Sequence, residues 1–538
     1  MKKIIFILVF SMMSLIAFSQ KRVPKGSSYT ASYPYATDQT FTREYLLQEN
    51  QILAIKFQAK KMVIQKFDAT KPAFTSEKEY EYKTAFLNFS IFNFYSEGLH
   101  EINDHFYFFY SLWDKPNKKE QLFAYEIDFQ KVEFVGQPQL LLQVDGKVTH
   151  SNFHKFETQI SSDKKTIVVK YKRDPLVNDD KKNFDVMGIA SFDSNLKKIA
   201  VKEIKMPYTE RRIKNLDYQI DGKGNLFLLS KVFHDDSQED KKSKSDTEAN
   251  YHIEIFTVKL GSDKIIIAKL EDKDKFVNSL QLFDDQKSSG IIAGGYYSNG
   301  KGKNFQDNSD GVLTFKVKED GSIADKNYYD IPVEIINQYE STKTKNRNER
   351  KEENGEGAKF TFLKLKNLKL LEDGSIVLIG EQFIENTQNS LNGGGQITTI
   401  KYNDILVAKI NSDGKLGWMR KVPKQQFGFA ANDGTFKFLS TSDNLFLLYL
   451  DNIKNIDLTP DQEPVRHING EGGYLTSVKM DLADGSFTKT SILNTRDVEN
   501  FKLQRFSPFN TVDLNDNSFV IEAPRSKTEE VMVKITLK

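Results

Sequence analysis

The chain contains no cysteine. That excludes disulfides, a thiol nucleophile, Cys-ligated zinc or iron–sulfur centres, and lipid attachment at an N-terminal Cys. There is also no excess of one charge. Lys and Arg number 76 against 74 Asp and Glu, and Lys2 and Lys3 of the N-terminal segment account for the formal +2. A near-neutral chain argues against nucleic acid or an anionic membrane as partner. Beyond Leu15 no apolar run is long enough to cross a bilayer, which takes about 20 residues. Helical periodicity of convincing length is missing too. So are the G-x-S-x-G nucleophile elbow and the H-E-x-x-H zinc motif.

What is present begins with a targeting signature. Lys2 and Lys3 precede an apolar stretch from Ile4 to Leu15, and Ala17-Phe18-Ser19 forms a small-x-small cleavage site. Residues 1–19 are therefore expected to be a signal peptide, with Gln20 the mature N-terminus. Export without disulfides suits a bacterial periplasm or exterior, where a large core stabilises the fold alone. The expected location is exported and not lipid-anchored.

The rest of the chain repeats itself. Gly311-Val-Leu-Thr-Phe-Lys-Val-Lys-Glu-Asp-Gly-Ser-Ile323 recurs as Asp404-Ile-Leu-Val-Ala-Lys-Ile-Asn-Ser-Asp-Gly-Lys-Leu416, with looser copies at Leu475–Phe487 and Val186–Leu196. Each reads as a strand, a Lys, an Asp-Gly turn and a return strand. A second kind of strand, continuously apolar, starts near Ile52, Phe106, Ile167, Leu226, Ile291, Ile376, Leu445 and Phe519. Continuous apolar strands are covered on both faces. The unit reads as strands a, b, c and d joined by hairpins, and four-stranded sheets set radially make a β-propeller. The expected fold is all-β: a propeller of eight blades, with seven the close alternative, occupying residues 40–538 after an N-terminal segment at 20–39. The chain ends at a c-like strand, Val531–Leu537, so residues between Tyr29 and Leu47 are expected to supply the missing edge and close the ring.

Glu372-Asp-Gly-Ser-Ile-Val-Leu-Ile-Gly380 followed by Asp404–Trp418 resembles the blade repeat of exported bacterial β-propeller proteins. The resemblance is strongest over Phe360–Val422. It implies the fold and carries over no functional residue.

The long insertions share one position. His234–Asn250, Ser298–Asp310, Gln382–Asn403 and Asp451–Gly473 fall between strands b and c, whereas the c–d turns stay tight. One further segment, Gln338–Ala358, lies on a d–a connection. It is rich in both charges, is poor in apolar residues, and is expected to be a disordered loop. Connections b–c and d–a leave from the same rim, so that rim is the expected working face. Trp113, His234, Tyr402, Arg466 and His467 are the binding candidates on it. Trp418 is expected to pack beneath the neighbouring blade.

Chemical sites are weakly marked. Gly295–Gly302 approaches a phosphate loop but puts Gly302 where Ser or Thr should stand. His150 and His154 have a spacing that binds zinc only on a helix, and they precede a strand; no metal site is expected. Asp307, Asp310, Asp179 and Asp180 could serve a structural calcium but lack its twelve-residue loop; no other cofactor is expected. Glu381, Glu385, Asp174 and Asp451 could form a carboxylate pair of the glycosidase kind. The reading is an exported binding or scaffold protein engaging a protein, peptide or glycan. The alternative is an exported polysaccharide-directed hydrolase or lyase with acids at the channel mouth.

Overall fold

The computed structural model describes residues 27–538 apart from 83–93, 151–153, 162–163, 244, 260–261, 263, 286–289, 303, 390–395, 430–433, 469–471, 500 and 515–516. The signal segment and Gln20 lie outside the described residues.

Eight antiparallel sheets follow one another around a ring. Blade 1 comprises Thr42–Gln48, Gln51–Phe57, Lys61–Asp68 and Ala73–Glu81 as strands a to d. The b strands of the later blades are His105–Asp114, Thr166–Lys172, Leu226–Phe233, Gly290–Ser298, Ile376–Asn389, Asn444–Asp451 and Ser518–Pro524. Every apolar run singled out in the sequence thus lies in a b strand. Leu226–Phe233 and Gly290–Ser298 are buried along their whole length, as sheets covered on both faces require.

The core is divided among the blade interfaces. One apolar cluster joins blades 1 and 2, another blades 2 and 3, and so on around the ring. The last closes the circle: Ile52, Ala54 and Phe67 of blade 1 pack on Val512, Val520 and Met532 of blade 8. Eight interfaces settle the number of blades at eight.

Closure uses both ends of the chain. The last blade contains Thr511–Asp513, Ser518–Pro524 and Glu529–Leu537, and Ser27–Ala31 pairs with the final strand as its fourth member. Tyr35–Ala36 pairs with the same strand. Residues 27–31 and 35–36 are thus hydrogen-bonded to the last strand of the propeller. Only part of the expected closing region serves this purpose, because Thr42–Gln48 is the inner strand of blade 1.

The inner strands are tied to one another by side chains. Those of blades 2, 4, 5 and 6 carry a bulge. Polar side chains of the preceding blade accept from backbone N–H groups of these inner strands: Glu44 from Leu99 (2.9 Å), Asp217 from Leu282 (2.7 Å) and Ser279 from Leu365 (3.1 Å). A buried N–H left unpaired is costly, so each bond holds one blade to the next.

The repeated Asp-Gly turns lie on the rim opposite the insertions. Gly321 and Gly414 both have positive φ, 82° and 79°. That conformation favours glycine. Asp413 accepts from the N–H of Lys415 (3.0 Å) and closes its turn. Trp418 is buried, with Nε1 donating to Leu482 O (3.3 Å) of blade 7, as expected of a packing residue.

Two segments depart from the sequence reading. Gln382–Asn403 is not a loop. Strands b and c of blade 6 run on as a ribbon, through Asn389 and from Gln396, beyond the rim. Gln338–Ala358 contains helix α2, Thr342–Glu353, and follows directly on helix α1, Val333–Asn337. Ser341 caps α2 by accepting from Thr344 N, and Asn348 donates to Asn337 of α1 (2.8 Å). Among the described residues no helix is long and apolar enough to cross a membrane.

Candidate partner-binding rim

The b–c insertions of blades 6 and 7 build one structure. After strand d of blade 6 (Leu416–Val422) the chain turns back, and Gln426–Gly428 adds to the ribbon by pairing with Ile400–Tyr402. The blade 7 insertion then sends in His467–Ile468, parallel to Gln426–Phe427. Ribbon and added strands form a sheet extension projecting from the rim.

Successive side chains on a strand point to opposite faces. Phe383, Tyr402, Gln426 and His467 therefore share the inner face. Tyr402, Gln426 and His467 are buried there. Gln426 Nε2 donates to Leu450 O of blade 7 (2.9 Å), and Phe383 and Tyr402 meet at 5.2 Å. The outer face carries Ile384, Lys401, Phe427 and Ile468, with Ile397 further along the ribbon. Ile397 is 48% exposed and Ile468 52%. Arg466 stacks over Phe427 at 5.6 Å, and Phe427 meets Phe429 edge-on at 5.3 Å.

A buried ionic network anchors this extension. Lys424 is fully buried. Its ammonium donates to Glu381 Oε1 (2.7 Å) and to Tyr402 O (3.0 Å), and its N–H donates to Asp404 Oδ1 (3.0 Å). Glu381 also accepts from Thr435 Oγ1 (2.8 Å). Burial pushes the Lys424 pKa down, against the opposing pull of Glu381 and Asp451. Nearby, Lys421 bridges Asp404 (3.0 Å) and Glu340 (2.8 Å). Burial opposes its charge, but the two carboxylates outweigh burial and raise its pKa. Lys489 pairs with Asp451 (3.3 Å), which in turn accepts from Asn455 of the blade 7 insertion (2.6 Å). The α1–α2 connection is thus tied to blade 6 by charge and the blade 7 insertion to its own blade, and Tyr339 N donates to Pro460 O (2.7 Å) between them.

Three of the five candidate residues meet on this extension. Arg466 is exposed on it. Tyr402 and His467 face inward and support the surface rather than present it. Burial, then the charges of Lys424 and Arg496, pull His467 down to about 4. Trp113 stands apart on the blade 2 b–c hairpin, half-buried under the ammonium of Lys147 (5.8 Å). His234 opens the blade 4 insertion. Its Nε2 lies 3.2 Å from His252 Nδ1, and His252 Nε2 lies 2.8 Å from Glu254. The adjoining cleft of about 480 Å³ is lined by His234, Lys242, Thr247 and Lys273 among others.

The acids weighed as a catalytic pair are not presented as one. Glu381 and Asp451 both act on Lys424 but are closed off from solvent. Asp174 accepts from Thr149 (2.9 Å) on blade 3, and Glu385 lies exposed on the ribbon. His154 contacts Ser96 O (3.1 Å), and His150 packs beside Tyr95. Asp310 is held by Lys359 (2.5 Å), and Asp180 by Arg211 (3.2 Å). Sequence reasoning missed Phe427 and Ile468, in short strands without a repeat signature, and Lys424, in the connection between two strands.

No protein-family model and no curated protein matches the sequence. Among solved structures, the chain is similar to the polysaccharide lyase Uly1 at 10% identity and TM-score 0.33, covering 85% of this chain and 92% of that one. It is also similar to the β-propeller domain of the Trilobed protease from Pyrococcus furiosus at 9% identity and TM-score 0.33, covering 86% and 98%. The acylaminoacyl peptidase of Pyrococcus horikoshii matches at 10% identity and TM-score 0.35, covering 91% and 57%. At these values the likeness assigns neither a family nor an activity.

Proposed function

We propose that the protein is an exported binding or scaffold protein whose insertion-bearing rim engages a protein, peptide or glycan partner. One observation carries the reading. The insertions of blades 6 and 7 combine into an ordered sheet that leaves aliphatic and aromatic side chains exposed, anchored by a buried ionic network. A ring held only by its blade interfaces has no need of such an extension. Contiguous exposed apolar surface on a rigid scaffold marks an interaction site.

The test is affinity capture from the source cell envelope. Ile384 pairs with Lys401, so the ribbon can be cut back to that pair and closed with an Asn-Gly turn. Trimming should abolish capture, whereas Lys415→Glu, at an exposed turn on the opposite rim, should leave it intact. Capture that survives trimming and is lost with Lys415→Glu overturns the choice of rim. Export is checked separately: mass spectrometry of the exported protein should find Gln20 at the N-terminus, and intact Met1 there would refute it.

The polysaccharide-directed enzyme remains a second reading because of the His234–His252–Glu254 chain. A carboxylate that orients one imidazole, which orients another at the lip of a cleft, can serve a general base. Turnover of a polysaccharide that disappears with His234→Ala would favour it.

A further inference from the structure

We infer that the outer face of the blade 6 extension binds an extended, acidic polypeptide segment with alternating apolar side chains. This rests on the reading that the insertion-bearing rim is the working face. Ile384, Lys401, Phe427 and Ile468 lie side by side across four strands, with Ile397 further out along the ribbon and Arg466 over Phe427. Apolar side chains lie on either side of Lys401, and a second cation, Arg466, stands over Phe427. Neither Lys401 nor Arg466 makes an ion pair among the described residues, and the face's other described side chains, Asn386, Gln388 and Thr399, are neutral. Elsewhere in the blade 6–7 network the lysines are matched by carboxylates, as at Lys421, Lys424 and Lys489. The two unmatched cations therefore call for carboxylates from outside.

The geometry selects the form of the segment. The face is a sheet, whose like-facing side chains recur at about 7 Å along each strand. An extended chain repeats at the same interval, so its apolar side chains can cover Phe427 and Ile468 while its carboxylates reach Arg466 and Lys401. Two cations among apolar side chains suit a polyanion poorly, because nucleic acids and sulfated glycans gain affinity by neutralising many charges.

The test uses the full-length mature protein and three labelled peptides, read by fluorescence anisotropy. One alternates Leu with Glu, one Leu with Lys, and one Ser with Glu. The Leu/Glu peptide should bind about tenfold or more tightly than the other two, the scale of a single hot-spot contact. The double variant Lys401→Glu/Arg466→Glu should reverse the preference in favour of Leu/Lys. A gain of binding cannot arise from misfolding, so the reversal separates recognition from loss of structure. Equal binding of Leu/Glu and Ser/Glu, a preference unchanged by the double variant, or competition by heparin as strong as by unlabelled Leu/Glu peptide overturns the proposal. If those results accompany loss of partner capture on ribbon trimming, the rim is right and the segment chemistry is wrong. If trimming also leaves capture intact, the rim itself is wrong.

Discussion

Lys424 shows how much the rim depends on single buried groups. A lysine with no solvent exposure persists only because Glu381, Tyr402 O and the surrounding dipoles receive its charge. Breaking one side of a buried pair costs more than removing both. Lys424→Met should lower the unfolding free energy by about 3 kcal/mol, and adding Glu381→Gln should recover part of that loss. Urea denaturation of the three proteins checks this. His467 gives a prediction in pH. Its folded value of about 4 lies below the ordinary one, so the folded state resists protonation. Its stabilising contribution is full above about 6.5 and is lost as pH falls towards 4, amounting to on the order of 3 kcal/mol. His467→Gln should flatten the fall in melting temperature across that range. His100, also held at about 4, should leave a residual slope. No feature of the sequence separates Lys424 from the many surface lysines, since burial of a lysine is decided by partners distant in the chain, here Glu381 and Tyr402.

At the scale of the element, legibility followed periodicity. The eight b strands were readable because each is a continuous apolar run entered by a turn. The c–d turns were readable because Asp and Gly must stand where the chain needs a side-chain acceptor and then a positive φ. The ribbon was not, because Glu385–Asn389 is polar at every position and is paired only by continuing two strong strands. Helix α2 was not, because it has no apolar stripe. Asn348 is its buried residue, and Ser341, Asn337 and Glu352 hold it through polar contacts. The N-terminal strand was read only approximately, since its partner lies some 500 residues away. It gives a direct test. Deleting residues through Ala36 removes the outer strand of blade 8, the Ser32–Met532 bonds and the Tyr35 hydroxyl bond to Glu522 (2.5 Å). The loss should be about 3 kcal/mol or more from buried surface alone. The bared edge of Glu529–Leu537 should also promote self-association, visible by size-exclusion chromatography. Unchanged stability and a single monomeric species would contradict the closure.

For the whole molecule, the ring makes cutting the chain and separating its parts different events. The blade 4 insertion is the expected first site of limited proteolysis. Lys241 and Lys242 offer tryptic bonds, and the described residues from Ser243 to Glu248 are exposed or half-buried with no regular structure. Helix α2 offers more basic residues, but it is capped and tied to α1, so local opening there costs more. Cleavage between Lys242 and Ala249 divides the chain within blade 4, yet the fragments remain joined in two places. Leu226–Phe233 stays paired with Tyr251–Val258 across the nick. On the far side of the ring, Ser27–Ala31 stays paired with the final strand, and Lys56 of blade 1 bridges Glu522 (2.6 Å) and Glu530 (2.5 Å) of blade 8. Separation would require both junctions to open together, whereas an open arc would part at the first. Trypsin-nicked protein should therefore elute at the intact mass on size exclusion and resolve into two bands only on a denaturing gel. Removing residues through Ala36 before nicking should weaken the second junction and let the fragments part at a lower urea concentration. Fragments that separate without denaturant in the full-length protein would mean the ring is not closed.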